Sequence, residues 1–140
     1  MLNSARTDLT NCTTVNTMFI DHINIKSNLE LMEEVKDFYC FIFDMHASSR
    51  PNFSMGGYWL YSGENALVHL MESDQHHPSN DQGCFDHVSF KVTDLSQILA
   101  KLEERGVEVK QADVPGRNLQ QLFFKDPAGV TVEVLGETTK

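Results

Sequence analysis

Two stretches of alternating apolar and polar residues repeat one another along the chain. Ile20-Asp21-His22-Ile23-Asn24-Ile25-Lys26 reappears as Phe85-Asp86-His87-Val88-Ser89-Phe90-Lys91, with Asp, His and Lys in the same places. A period of two predicts half-buried strands. Ile23 and Ile25 share one face of the first, and Val88, Phe90 and Val92 share one face of the second. His22 and Asn24, like His87 and Ser89, fall on the opposite faces.

A period near 3.6 follows each strand. Asn28 can cap a helix carrying Leu31, Val35, Phe38 and Ile42, and Asp94 can cap another carrying Leu95, Ile98, Leu99 and Leu102. Gly106 suits the residue just past the end of the second helix, and His46 is placed to help end the first. Three short strands are expected after each helix: near Ala47 to Arg50, Gly57 to Tyr61 and Ala66 to Met71, then near Val107 to Gln111, Leu119 to Phe124 and Val130 to Leu135. Gly63-Glu64-Asn65 and Asp126-Pro127-Ala128-Gly129 are corresponding turns. The Gly56-Gly57 pair suggests a turn or bulge.

Each half therefore reads strand, helix and three strands. Residues 1–17, rich in Asn, Thr and Ser, are expected to be a flexible extension. Residues 18–137 form one domain, with a first module over about 18–72, a linker over about 73–83 and a second module over about 84–137.

Aligning the last strands sets His69 against Glu133. Four polar residues, His22, His69, His87 and Glu133, thus interrupt apolar strands on the faces turned away from the helices. Burying such groups unpaired costs several kcal/mol. If the two halves pack as one curved sheet, all four converge on one cavity, and a divalent metal satisfies them together. Three imidazoles and a carboxylate suit zinc, iron, nickel, cobalt or manganese. Asp21 and Asp86 lie on the other strand face from their histidines and are better placed for turns or helix contacts.

Composition narrows the function classes. The 140 residues carry a net charge of −9. That field opposes binding to nucleic acid or to anionic membranes, and no apolar run reaches the length of a membrane span. The three cysteines Cys12, Cys40 and Cys84 form no CxxC pair, which fits a reducing, cytoplasmic setting. Around the cup, Arg50, Trp59, Tyr61, Arg117, Gln121 and Phe123 are candidate substrate contacts. Of the aromatics in Tyr58-Trp59-Leu60-Tyr61, one parity should enter the cup and the other cover the helix or rim.

These features carry a family resemblance. Asp21-His22-Ile23, Phe38-Tyr39, Asp86-His87-Val88 and the run from Phe123 to Glu133, with its Asp126-Pro127-x-Gly129 turn, resemble the vicinal oxygen chelate superfamily. It includes glyoxalase I, methylmalonyl-CoA epimerase, fosfomycin-resistance enzymes, extradiol dioxygenases and bleomycin-binding proteins. The resemblance spans about Met18 to Leu135. It implies an α+β fold of two βαβββ modules in tandem, forming an open barrel-like metal-binding cup. By position, His22, His87 and Glu133 match the family's two-His-one-carboxylate set, and His69 matches its fourth ligand. A homodimer is implied, with each cup built from one chain or from two.

The resemblance implies a divalent-metal-dependent lyase or isomerase that chelates vicinal oxygens of a small substrate, with Glu133 as ligand or catalytic base. An Fe(II) extradiol-type dioxygenase and a non-catalytic drug- or metabolite-binding resistance protein are the alternatives. Glyoxalase I commonly has carboxylates at both positions corresponding to His69 and Glu133, whereas this chain has one His and one Glu. No cluster of Arg or Lys suggests a glutathione site.

Overall fold

The computed structural model describes residues 17–79, 81 and 83–138. The expected N-terminal extension, Thr17 excepted, and Cys12 lie outside them. The elements run β1 (Ile23–Ser27), α1 (Leu29–Phe43), β2 (His46–Ser48), β3 (Gly57–Ser62), β4 (Asn65–Glu72), β5 (Val88–Lys91), α2 (Leu95–Glu104), β6 (Lys110–Asp113), β7 (Leu119–Lys125) and β8 (Thr131–Glu137). They form two four-stranded sheets, ordered β1-β4-β3-β2 and β5-β8-β7-β6. In each, the first strand pairs parallel with the last and the other pairings are antiparallel. The architecture is α+β, two similar modules whose sheets remain open rather than closing into a barrel.

The helix ends follow from local chemistry. The Asn28 side chain accepts from the Leu31 N–H at 3.0 Å, and Asp94 accepts from the Gln97 N–H at 3.0 Å, so each caps an otherwise unpaired first-turn donor. Helix α1 ends at Asp44, held in the left-handed region at φ 53°. His46 instead opens β2, where its ring stacks with Tyr61 at 5.9 Å. Helix α2 ends in a paired closure: Gly106 N–H donates to Glu103 O, and Val107 N–H to Leu102 O, each at 2.9 Å. That closure explains why β6 begins at Lys110 rather than near Val107. The Val107 N–H is already spent on the helix.

Alternation along the two long strands sets the core. Val68 and Leu70 of β4 and Val132 and Val134 of β8 are buried beneath the helices, while His69 and Glu133 between them point to the other face. Helix α1 joins the modules. Its Phe38 lies 6.0 Å from Phe124, its Tyr39 6.5 Å from Phe90 and its Phe43 5.3 Å from Phe90. Tyr39 Oη donates to the buried Asp126 Oδ2 at 3.0 Å. Lys101 of α2 reaches Asp44 at 2.7 Å, and Arg105 lies 4.0 Å over Phe41. The modules thus meet through their helix-bearing sides, and their polar faces lie on the far sides of the sheets. Among the described residues, no helix is long and apolar enough to cross a membrane.

Candidate metal centre

The polar face of the first sheet is built around His69, in the middle of β4. Its neighbours in register are Asn24 on β1 and Trp59 on β3. The His69 ring lies between two others: His22 at 3.7 Å and Trp59 at 4.2 Å, both within 12° of parallel. That stack leaves His69 only 7 % exposed. Its Nε2–H donates to the Ala66 carbonyl at 3.1 Å, so the ring's lone pair lies on Nδ1. Burial pushes its pKa down, and the neighbouring His22 adds to the effect. His69 is therefore biased toward the neutral form that a metal requires.

The second sheet repeats the plan with different chemistry. Glu133, in the middle of β8, has Ser89 on β5 and Phe123 on β7 as its neighbours in register. Its carboxylate is 8 % exposed, and His87 Nε2 lies 2.8 Å from Oε2. Gln121 Nε2–H donates to Oε1 at 2.7 Å. Phe123 closes over His87 edge-on at 5.7 Å. The hydrogen bond to Asp86 raises the His87 pKa, and the Glu133 charge raises it further, so the imidazolium is favoured between two carboxylates.

One feature common to both halves escaped the sequence reading. His22 Nδ1 lies 2.6 Å from Asp21 Oδ2, and His87 Nδ1 lies 2.7 Å from Asp86 Oδ2. Strict alternation sends neighbouring side chains to opposite faces and so predicts turn or helix contacts for Asp21 and Asp86. Both Asp-His pairs, however, precede the first residue of their strand, and there the pleat does not govern. The repeated Asp-His dipeptide was the available signal. A carboxylate on Nδ1 fixes the ring and leaves Nε2 as the outward nitrogen.

The structure brings His22 together with His69, and His87 together with Glu133. It does not bring the two pairs together in one chain. Among the described residues, no group of three or more His, Cys, Asp or Glu side chains could hold a metal ion. The donor types fit a divalent transition metal; one chain offers them as two half-sets on separate sheets.

The remaining candidates divide by module. Arg50 and Trp59 line a cleft of about 280 Å³ with His22 and His69. Tyr61 borders the adjoining hollow of about 730 Å³, which also reaches Trp59 and His69. Its parity is modified by a register shift between Leu60 and Tyr61, and its hydroxyl donates to Ser49 O at 2.6 Å. Tyr58 points the other way and donates to Glu33 of α1 at 2.5 Å. Gln121 and Phe123 adjoin Glu133. Arg117 stands exposed in the turn between β6 and β7, where its N–H donates to Val114 O at 3.1 Å.

Comparison with known proteins places these features in a family. Residues 20–134 match the model of the Glyoxalase/Bleomycin resistance protein/Dioxygenase superfamily. A curated relative, Glyoxylase I 4 of Arabidopsis thaliana, is 27% identical over 110 residues, covering 74% of this chain and 63% of the relative. The matched region thus spans less than two-thirds of that relative's length. Among solved structures, a glyoxalase family protein from Bacillus anthracis superposes with a TM-score of 0.70 at 22% identity, covering 88% of this chain and 98% of its own. A FosX fosfomycin resistance protein variant from Listeria monocytogenes, complexed with Mn(II) and 1S,2S-dihydroxypropylphosphonic acid, gives 0.67 at 14% identity, covering 88% and 95%. At these identities the structural likeness concerns the fold. The family-model match covers most of the chain, and the protein belongs to the Glyoxalase/Bleomycin resistance protein/Dioxygenase superfamily.

Proposed function

We propose that this protein is a divalent-metal-dependent, glyoxalase-like enzyme of the lyase or isomerase type, acting on a small substrate with vicinal oxygens. We further propose that it works as a homodimer. Each metal site would take His22 and His69 from one copy and His87 and Glu133 from the other. The observation that carries this reading is the division of the donor set into two repeat-related halves, neither of which reaches three ligands in one chain.

The edges of the sheets support an assembled site. Among the described residues, β1 and β5 each pair on one side only, and His22 and His87 immediately precede them. The chain leading into β1 exposes Met18, Phe19 and Ile20 (91%, 82% and 89%), and Phe85 before β5 is 69% exposed. Apolar side chains concentrated beside open strand edges favour association. A second copy offers both missing half-sets at once and a closed two-fold arrangement. The FosX relative's Mn(II) and vicinal diol ligand support the metal and substrate class.

When bound, the metal would supply Lewis-acid polarisation of a substrate carbonyl and stabilise the negative charge developing on oxygen. The chain's own residues then have separable tasks. Glu133, buried and steadied on Oε1 by Gln121, can accept a proton at Oε2 once His87 turns its Nε2 elsewhere. His69, biased toward its neutral form, can donate its lone pair without first losing a proton. Trp59 and Phe123 occupy equivalent places beside His69 and Glu133 and exclude water from the two halves.

The experiment is to measure the metal content of the purified protein before and after chelation, then screen the loaded form against enolisable carbonyl compounds. Stoichiometric metal, restored activity on reloading and loss in Glu133→Gln support the assignment. Full turnover in rigorously metal-free protein overturns it.

A further inference from the structure

The segment between β2 and β3 brings a cation to the His22–His69 rings. Arg50 lines the same cleft as His22, Asn24, Trp59 and His69. Its Nη2–H donates to the Met55 carbonyl at 2.8 Å, and its guanidinium lies 4.9 Å over the Phe53 ring. A Cβ on Gly57 would stand 3.2 Å from Nη2 and 2.2 Å from the Leu70 carbonyl oxygen. Gly57 is not among the positive-φ glycines. It serves close approach of backbone and guanidinium, rather than the turn or bulge expected of the Gly56-Gly57 pair.

Arg50 is held but not neutralised. It enters none of the ion pairs among the described residues. Its Nε is buried without an acceptor, the one such side-chain polar atom among the described residues. A guanidinium remains charged at any working pH and offers five donors in a fixed fork. A buried donor with no partner in the fold calls for an explanation, and a charged one beside a cleft points to an anion from outside the chain.

We propose that Arg50 binds an acidic group of the substrate, a carboxylate or a phosphate. The substrate class is thereby narrowed to small anionic molecules whose vicinal oxygens lie toward His22 and His69. This inference rests on the proposed function, which makes the cleft part of the substrate site. Phe53, 46% exposed, carries the guanidinium over its ring and connects the cleft to the metal half-set: it lies 6.4 Å from Trp59, which lies 4.2 Å from His69.

Trp59 is the only tryptophan in the chain, so its fluorescence reports on this cleft alone. The test is a titration of the full chain with acetate and, separately, inorganic phosphate, at constant ionic strength and with chelator present. A saturable change is expected with at least one anion. Its midpoint should rise about tenfold or more in Arg50→Gln and recover in part in Arg50→Lys, consistent with loss of a charge-assisted bidentate contact. A response to acetate alone assigns carboxylate substrates, and one to phosphate alone assigns phosphorylated substrates. Equal midpoints in wild type and Arg50→Gln, with melting temperatures showing both folded, overturn the proposal. So does the absence of any saturable response in wild type. Metal uptake measured in parallel separates this outcome from failure of the metal assignment: Arg50→Gln should still load metal, and metal-free protein should still bind the anion.

Discussion

His87 and Glu133 meet at 2.8 Å, Nε2 to Oε2, across neighbouring strands of the second sheet. The corresponding positions in the first sheet hold two imidazoles stacked face to face at 3.7 Å. The same backbone plan therefore presents a charged pair in one module and a pair of histidines in the other. Each pair supplies what the other lacks: a carboxylate on one side, and a neutral ring ready to donate its lone pair on the other.

The aspartates before His22 and His87 should control how well those rings bind metal. Asp86→Asn and Asp21→Asn remove the carboxylates on Nδ1 and are expected to weaken metal affinity by roughly 10–100-fold. Both aspartates are highly exposed (84% and 89% of the side chain), so folding should change little. Competition against a chromogenic chelator measures the affinity. Unchanged affinity in both variants would remove the positioning role.

Tyr39 and Asp126 tie the two modules together. Tyr39→Phe deletes the hydroxyl and leaves a buried oxygen of Asp126 short of a donor, at a cost of about 1–3 kcal/mol. Urea denaturation should show this as a lower midpoint with little change in slope.

The same carboxylate makes stability depend on pH. Burial raises the Asp126 pKa despite its hydrogen bonds from Val130 N–H and Tyr39. A folded pKa above the unfolded value means that the folded state holds this proton more tightly. The associated stability is present below the ordinary carboxylate pKa and is lost as pH rises through the elevated folded value. Asp126→Asn keeps an acceptor for Val130 N–H without the ionisation. Its melting temperature relative to wild type should therefore climb as pH rises from the ordinary carboxylate range through the elevated folded value. A difference that stays flat or falls as pH rises above the ordinary carboxylate pKa would contradict the assigned cause.

Two glycines should fail for different reasons. Gly106→Ala forces a Cβ into the left-handed region, at φ +66° with open space around it, and should cost about 1 kcal/mol. Gly57→Ala drives a Cβ against the Leu70 carbonyl oxygen, and overpacking of this kind costs about 1–3 kcal/mol. Only Gly57→Ala should also disturb anion binding at Arg50. Equal anion titrations in the two variants would show that Gly57 does not position the guanidinium.

Much of this arrangement was legible in the chain because two periods alternate cleanly. The caps Asn28 and Asp94, the glycine after α2 and the two long strands β4 and β8 all announce themselves locally. A polar residue at the centre of an apolar strand, as with His69 and Glu133, marks the face away from the helix. The start of β6 was not legible, because closure of α2 by Val107 N–H is a hydrogen-bond competition that hydropathy does not record. Nor was the separation of the half-sets. Repeat alignment shows which positions are equivalent, but not whether two sheets join at an edge or meet through a shared helix. Here Phe38, Tyr39 and Phe43 settle that by packing α1 against Phe90 and Phe124.

If each metal site is completed by two chains, mixing two variants that each lack metal binding should restore it. His69→Ala disables the half-set of the first module, and Glu133→Ala disables that of the second. Each variant alone should lose tight metal binding. If sites form between copies, a mixed dimer places both lesions in one site and leaves the other intact. Unfolding and refolding the two variants together in equal amounts should then restore about one quarter of the wild-type sites, as random pairing in a two-fold dimer requires. Metal content measured at limiting free metal reads this directly. No recovery beyond the two variants measured separately, in a mixture shown to contain mixed dimers, would contradict the shared site.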